Sequence, residues 1–153
     1  MQSATAIRAS SPRGFPARAA SAVSRDPGAG VGELALRLDG TPEAASHARS
    51  ALGRLRADLD APLMETMRLL VTELVSNSVR HARAHVVALR VLVHNGAVHV
   101  EVADEGPGFT PGRHRAGQDE AGWGLFLVER LADRWGVVRD GRRTKVWFEL
   151  KRA

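Results

Sequence analysis

The residues best suited to chemistry lie in three separated stretches. In "LLVTELVSNSVRHA" (Leu69 to Ala82), Glu73, Asn77 and His81 recur at every fourth position. A helix would carry them in one stripe beside an apolar arc. A carboxylate and an amide one turn apart suit a common task. The amide oxygen can ligate Mg²⁺, a hard cation that keeps several waters and takes few protein oxygens. The carboxylate can accept the proton of an attacking hydroxyl or water. A solvated helix face with His81 near the C-terminal dipole would read the same way, so the triplet alone leaves both readings open.

The second stretch is "VADEGPGFTPG" (Val102 to Gly112), where Asp104 directly follows the strand-like "HVEVA". A carboxylate at a strand end can accept a hydrogen bond from the exocyclic amine of adenine. Gly106 and Gly108 allow close backbone approach to a ligand. A surface turn punctuated by Pro107 and Gly108 is the alternative. The third is "GWGL" (Gly122 to Leu125). Two glycines there open a helix whose free N–H groups and dipole favour phosphate, or simply form a Gly-rich helix start. The chain has neither G-x-x-x-x-G-K-[ST] nor a G-x-G-x-x-G after a strand.

These stretches need elements to position them. "GELALRLDG" (Gly32 to Gly40) alternates Leu34, Leu36 and Leu38 with polar residues, the pattern of a half-buried strand. Thr41 as N-cap and Pro42 at the first helical position predict a helix over about 42–59. A second helix is predicted over about 62–82, with Met67, Leu70, Val71, Leu74 and Val75 inward. Asn95-Gly96 joins two alternating apolar runs as a hairpin, and Asp140-Gly141 marks another. From Asp104 to Ala121 no period appears, as in a lid or binding loop. "GWGLFLVERLADRW" reads as a third helix with Leu125, Val128, Leu131 and Ala132 inward. Helices falling between hairpins predict a two-layer α/β sandwich, its sheet mixed but mostly antiparallel and its helices on one face.

Composition bounds the function. The apolar fraction of 44% and charged fraction of 25% are those of a soluble globular chain, and 153 residues suit one domain. No apolar run approaches the length of a membrane span. The absence of cysteine excludes disulfides, thiolate metal sites and a Cys nucleophile, and fits a reducing cytoplasm. Of the net charge of +5, Arg8, Arg13, Arg18 and Arg25 account for all but about +1, with no acid among residues 1–25. Residues 1–31 therefore read as a disordered basic tail ahead of a domain at 32–153, and the pI argues only weakly for nucleic-acid binding. An organelle transit peptide is the alternative reading of the tail.

The order and spacing of the three stretches resemble the histidine-kinase-like (GHKL) ATP-binding domain, the Bergerat fold. "TELVSNSVRHA" resembles its N box, "DEGPGF" its first glycine box and "GWGLFLVERLADRWGV" its second, so the likeness spans about residues 32–150. The resemblance implies ATP and Mg²⁺ as ligands. It makes Glu73 the acid that activates the attacking group and Asn77 the Mg²⁺ ligand. Asp104 would bind the adenine amino group, with Gly106 and Gly108 shaping the pocket. Gly122, Gly124 and Leu125 would form the phosphate-side helix start. Thr144 would support adenine through water, although "GRRTKVW" is loosely spaced there. Arg113 or Arg115 of the lid, beside His114, would neutralise γ-phosphate charge; solvated loop charge is the other reading.

Within that superfamily the chain most resembles the standalone bacterial anti-sigma-factor serine/threonine kinases. Residues 1–31 are too short and too Pro/Gly-rich for a helical hairpin bearing a phospho-accepting His, and the chain stops at Ala153, before any transducer domain. The resemblance implies a cytoplasmic protein kinase that phosphorylates a small antagonist protein and controls a sigma factor by partner switching. The alternatives are a non-catalytic ATP-binding module whose nucleotide state sets partner affinity and, from a different class, a nucleic-acid binder using the tail. Related kinases are often homodimers; no self-complementary face is legible here.

Overall fold

A computed structural model describes residues 22–26, 31–94, 96–105, 123–141 and 143–152. The strands are β1 (Ala22–Asp26), β2 (Val31–Asp39), β3 (Val86–Val93), β4 (Ala97–Glu105), β5 (Arg134–Asp140) and β6 (Arg143–Lys151). The helices are α1 (Ala44–Leu52), α2 (Ala61–Arg80) and α3 (Trp123–Leu131), with a 3₁₀ turn at Gly53–Asp58. The strands form one sheet in the order β1-β2-β3-β4-β6-β5, and each of these pairings is antiparallel.

Alternation sets which face each side chain takes. Val87, Leu89, Val91 and Val93 of β3 stand opposite Asp104, Val102, Val100 and Val98 of β4. Across β4 the row continues to Thr144, Val146, Phe148 and Leu150 of β6. The apolar members are buried beneath the helices and close the core. Into this layer α2 sets Met64, Met67, Leu70, Val71, Leu74 and Val75. Its start is fixed by Asp60, whose Oδ1 accepts from the Leu63 N–H at 2.8 Å, a side-chain cap on an otherwise orphaned donor. α1 and α3 pack against α2 on either side. The sheet therefore has helices on one face, as its sequence pattern predicts.

Several local features differ from expectation; the third helix, expected to run through Trp135, ends at Leu131, and Arg134 and Trp135 open β5. Thr41 does not cap α1: its carbonyl accepts from Ala44 N at 3.0 Å in a turn, and Glu43 occupies the cap position without a side-chain bond. The helix expected to reach residue 59 gives way at Gly53 to the 3₁₀ turn, yet Leu55 and Leu59 stay buried. Glycine carries a low helix propensity, so the apolar period outlasts the α-geometry. Leu131, expected inward, is 42% exposed at the end of α3. β1 lies inside the segment read as a tail and pairs antiparallel with β2; an edge strand held by main-chain bonds leaves little trace in "AVSRD". Both hairpins form where the turn residues predict them, with Gly141 at φ +59°. Gly40 is required by space: a Cβ there would overlap the Ala84 carbonyl oxygen. Among the described residues no helix is long and apolar enough to cross a membrane.

Candidate functional site

At one end of the sheet the inward row changes from valine to polar side chains. Asp104 of β4 pairs in register with Thr144 of β6, and both face the helices. Asp104 is 8% exposed and Thr144 3%. Among the described residues, neither Oδ1 of Asp104 nor Oγ1 of Thr144 has a hydrogen-bond partner, although both atoms are buried. Buried polar atoms are normally paired, because an unmade bond costs the desolvation of the group. Two adjacent orphans on one ladder rung mark a place shaped for something that brings its own donor and acceptor.

The electrostatics agree. Burial pushes the Asp104 carboxyl above its ordinary value, while a hydrogen bond with the Ser78 side chain and the charge of Arg139 pull against that shift. Arg139 stands opposite Thr144 on β5. Ser78 comes from α2 and is itself buried. It occupies a helical position in line with Val71 and Leu74, where a core residue would be expected.

α2 brings the remaining polar groups to this end. Asn77 and Glu73 are both half-buried, Asn77 adjoining Ser78 and Glu73 one turn earlier. The Asn77 carbonyl accepts from His81 N at 2.9 Å and Ala82 N at 3.3 Å, and the Ser78 carbonyl accepts from Ala84 N at 3.1 Å. The helix end is thus tied down where these side chains emerge. His81 is the exposed C-cap residue. Among the described residues, no hydrogen bond or ion pair engages the Glu73 carboxylate.

The structure thus brings Asp104 and Thr144 together and sets Asn77 beside the serine that contacts Asp104. Gly124 is the second residue of α3, and Leu125 packs into the core beneath it. Gly106, Gly108, Arg113, His114, Arg115 and Gly122 lie outside the described residues, as does the lid from Thr110 to Ala121. Sequence reasoning missed Ser78 and Arg139. A serine on the apolar stripe of "ELVSNSV" was the available signal for the first; no sequence pattern singles out the second.

The donor set fits an adenine nucleotide. An unpartnered buried carboxylate oxygen can accept from an exocyclic amine, and an unpartnered hydroxyl can bond a ring nitrogen directly or through water. Mg²⁺ would find an amide oxygen at Asn77, a sparse protein contribution of the kind this cation completes with phosphates and water. Among the described residues there is no group of three or more His, Cys, Asp or Glu that could hold a metal alone.

Comparison with known proteins points the same way. Residues 37–150 match the family model described as "Histidine kinase-like ATPase domain". The chain is 29% identical over 119 residues to the serine-protein kinase RsbW of Listeria monocytogenes serotype 4a, covering 66% of this chain and 76% of that protein. The same values hold for the RsbW of serovar 1/2a. Among solved structures, the RsbU and RsbW domains of a Mycobacterium tuberculosis protein superpose with a TM-score of 0.60 at 22% identity. That match covers 79% of this chain and 33% of the solved one, so the chain spans about a third of its length.

Proposed function

Because the chain belongs to the histidine kinase-like ATPase domain family, we propose that it binds Mg·ATP and phosphorylates a serine or threonine of a small antagonist protein. By that reaction it would switch a sigma factor between partners in the cytoplasm. One observation carries the ATP reading: the buried, unpartnered pair of Asp104 Oδ1 and Thr144 Oγ1. The likeness to serine-protein kinases supports the direction of transfer.

Each residue then has a task. Asp104 accepts from the adenine amine, held in place by Ser78, while Thr144 meets the ring from the neighbouring strand. Asn77 offers its amide oxygen to Mg²⁺. Gly106 and Gly108 line the adenine side, and Gly122 and Gly124 flank the phosphates at the opening of α3, above Leu125. Bound Mg·ATP supplies the transferable phosphoryl group and the cation that offsets its charge. Glu73, half-buried and unengaged, accepts the proton of the antagonist hydroxyl. Arg113 or Arg115 adds positive charge from the lid. Phosphoryl transfer asks mainly for such positioning and charge neutralisation.

The test is phosphate transfer from radiolabelled ATP to an antagonist recovered with the chain in a pull-down. Glu73→Ala should slow transfer by roughly 10²–10⁴-fold, the range for loss of a general base, while leaving ATP binding in place. Equal transfer by the variant removes Glu73 from the chemistry. ATP binding without transfer to any captured partner leaves a module in which nucleotide state alone sets affinity.

A further inference from the structure

The face of the sheet away from the helices carries a concavity at the same end as the candidate site. It encloses about 140 Å³ and is lined chiefly by Arg37, His85, Ala88, Ala103 and Arg143. Register builds it. Ala88 of β3 stands between Arg37 of β2 and Ala103 of β4, so two alanines floor the cavity with one arginine beside them. Arg143 enters from the start of β6, opposite Glu105. Asp104 also borders it, but strand alternation sends the Asp104 carboxylate to the helix side of the sheet.

Among the described residues, the cations here are left unmatched, unlike others on this face. Arg90 pairs with Glu33 at 2.9 Å, Arg134 with Glu149 at 3.5 Å and Lys145 with Glu101 at 3.5 Å. Among the described residues, Arg37 and Arg143 have no hydrogen-bond or ion-pair partner, and His85 has none through its ring. Asp140 stands opposite Arg143 in the hairpin register without forming an ion pair to it. Two guanidinium groups and an imidazole around a small alanine floor match an anion of more than one charge with several acceptor oxygens. Arginine meets such oxyanions through paired, charge-assisted bonds.

We propose that this cavity binds a phosphate group, either free phosphate or a phosphomonoester on a small molecule, on the opposite side of β4 from the Asp104 carboxylate. The site stands on its own residues and does not depend on the kinase reading.

The full chain, ¹⁵N-labelled, is titrated with inorganic phosphate and separately with O-phosphoserine, at constant ionic strength set with chloride. The Ala88 and Ala103 amides are followed. Saturable shifts at both amides, with dissociation constants of about 1–10 mM, are expected. The double variant Arg37→Ala/Arg143→Ala should weaken binding roughly tenfold or more, with an unchanged melting temperature because both side chains are exposed. Saturation by inorganic phosphate identifies the free ion as a ligand; saturation by O-phosphoserine alone identifies a monoester. Shifts that stay linear, appear only at other amides or survive the double substitution mean an adventitious ion only and overturn the proposal.

Discussion

Strand β4 buries two acids, Glu101 and Asp104, on opposite faces of the sheet and treats them differently. Glu101 is engaged through one oxygen: its Oε1 lies 3.2 Å from His99 Nε2 and 3.5 Å from Lys145 Nζ. His99 stacks on Trp147 with centroids 5.7 Å apart and also meets Glu149 at 3.2 Å. Burial works against ionisation of Glu101, but the His99 hydrogen bond and the Lys145 charge outweigh it and hold the carboxyl below its ordinary value. At Asp104 burial wins, Ser78 and Arg139 offset it only in part, and one oxygen stays unpartnered. An acid with no buried oxygen left unpaired contributes to the fold. A buried acid oxygen left short of a donor costs stability in the free protein and suits a ligand that brings one.

The sharpest way to break this comparison is to neutralise each acid in turn. Asp104→Asn replaces an acceptor with a group that can also present N–H to the adenine amine. Hydrogen bonds to charged groups contribute about 1.5–3 kcal/mol, and the loss here should sit at the upper end, about a hundredfold in ATP affinity by calorimetry. Its melting temperature should hold or rise, because a poorly compensated buried charge is gone. Unchanged nucleotide affinity would remove Asp104 from the site.

Glu101→Gln should do the reverse. ATP affinity stays the same, while stability to urea falls by about 1 kcal/mol as a charged hydrogen bond becomes a neutral one. If Glu101→Gln weakened ATP binding as much as Asp104→Asn, the two faces would not be separate in function.

The acids also predict opposite pH dependences. The native state keeps the Asp104 proton to higher pH than the unfolded chain does. The stability Asp104 lends in its protonated form is therefore lost as pH rises from its ordinary 3.8 through its raised value. Glu101 lends stability that is present above its ordinary 4.5 and lost as pH falls through its lowered value. Melting temperatures taken from about pH 3 to 7 should show Asp104→Asn gaining on the wild type toward neutral pH. Glu101→Gln should approach the wild type toward acid. Parallel curves would show that neither acid is coupled to folding as described.

Much of this arrangement is legible in the chain. The period-two runs of β3 and β4 and the turn residues Asn95-Gly96 and Asp140-Gly141 place the strands. Alternation then puts Asp104 and Thr144 on the helix side once register is known. Register itself is what the sequence lacks: only pairing shows that Thr144 stands opposite Asp104 and Arg139 opposite Thr144. The spacing of Glu73 and Asn77 fixes their shared stripe, but not that Ser78, one position on, is the residue that reaches Asp104. Arg37 and Arg143 were equally invisible, since they are far apart in sequence and come to line one cavity only through the order of four strands.

Ser78→Ala gives the smallest effect and the finest discrimination. The hydroxyl is one of two groups drawing Asp104 back toward ionisation, and it holds the carboxylate from the α2 side. Removing it should cost about 0.5–1 kcal/mol of ATP affinity, the low end for a single hydrogen bond, or two- to fivefold. The variant should also depend more steeply on pH, with ATP binding weakening further toward acid as the Asp104 carboxyl holds its proton longer. In the Asp104→Asn background the same substitution should add almost nothing, because the group it serves is gone. Additive losses in that double-mutant cycle would mean that Ser78 acts on the nucleotide independently of Asp104.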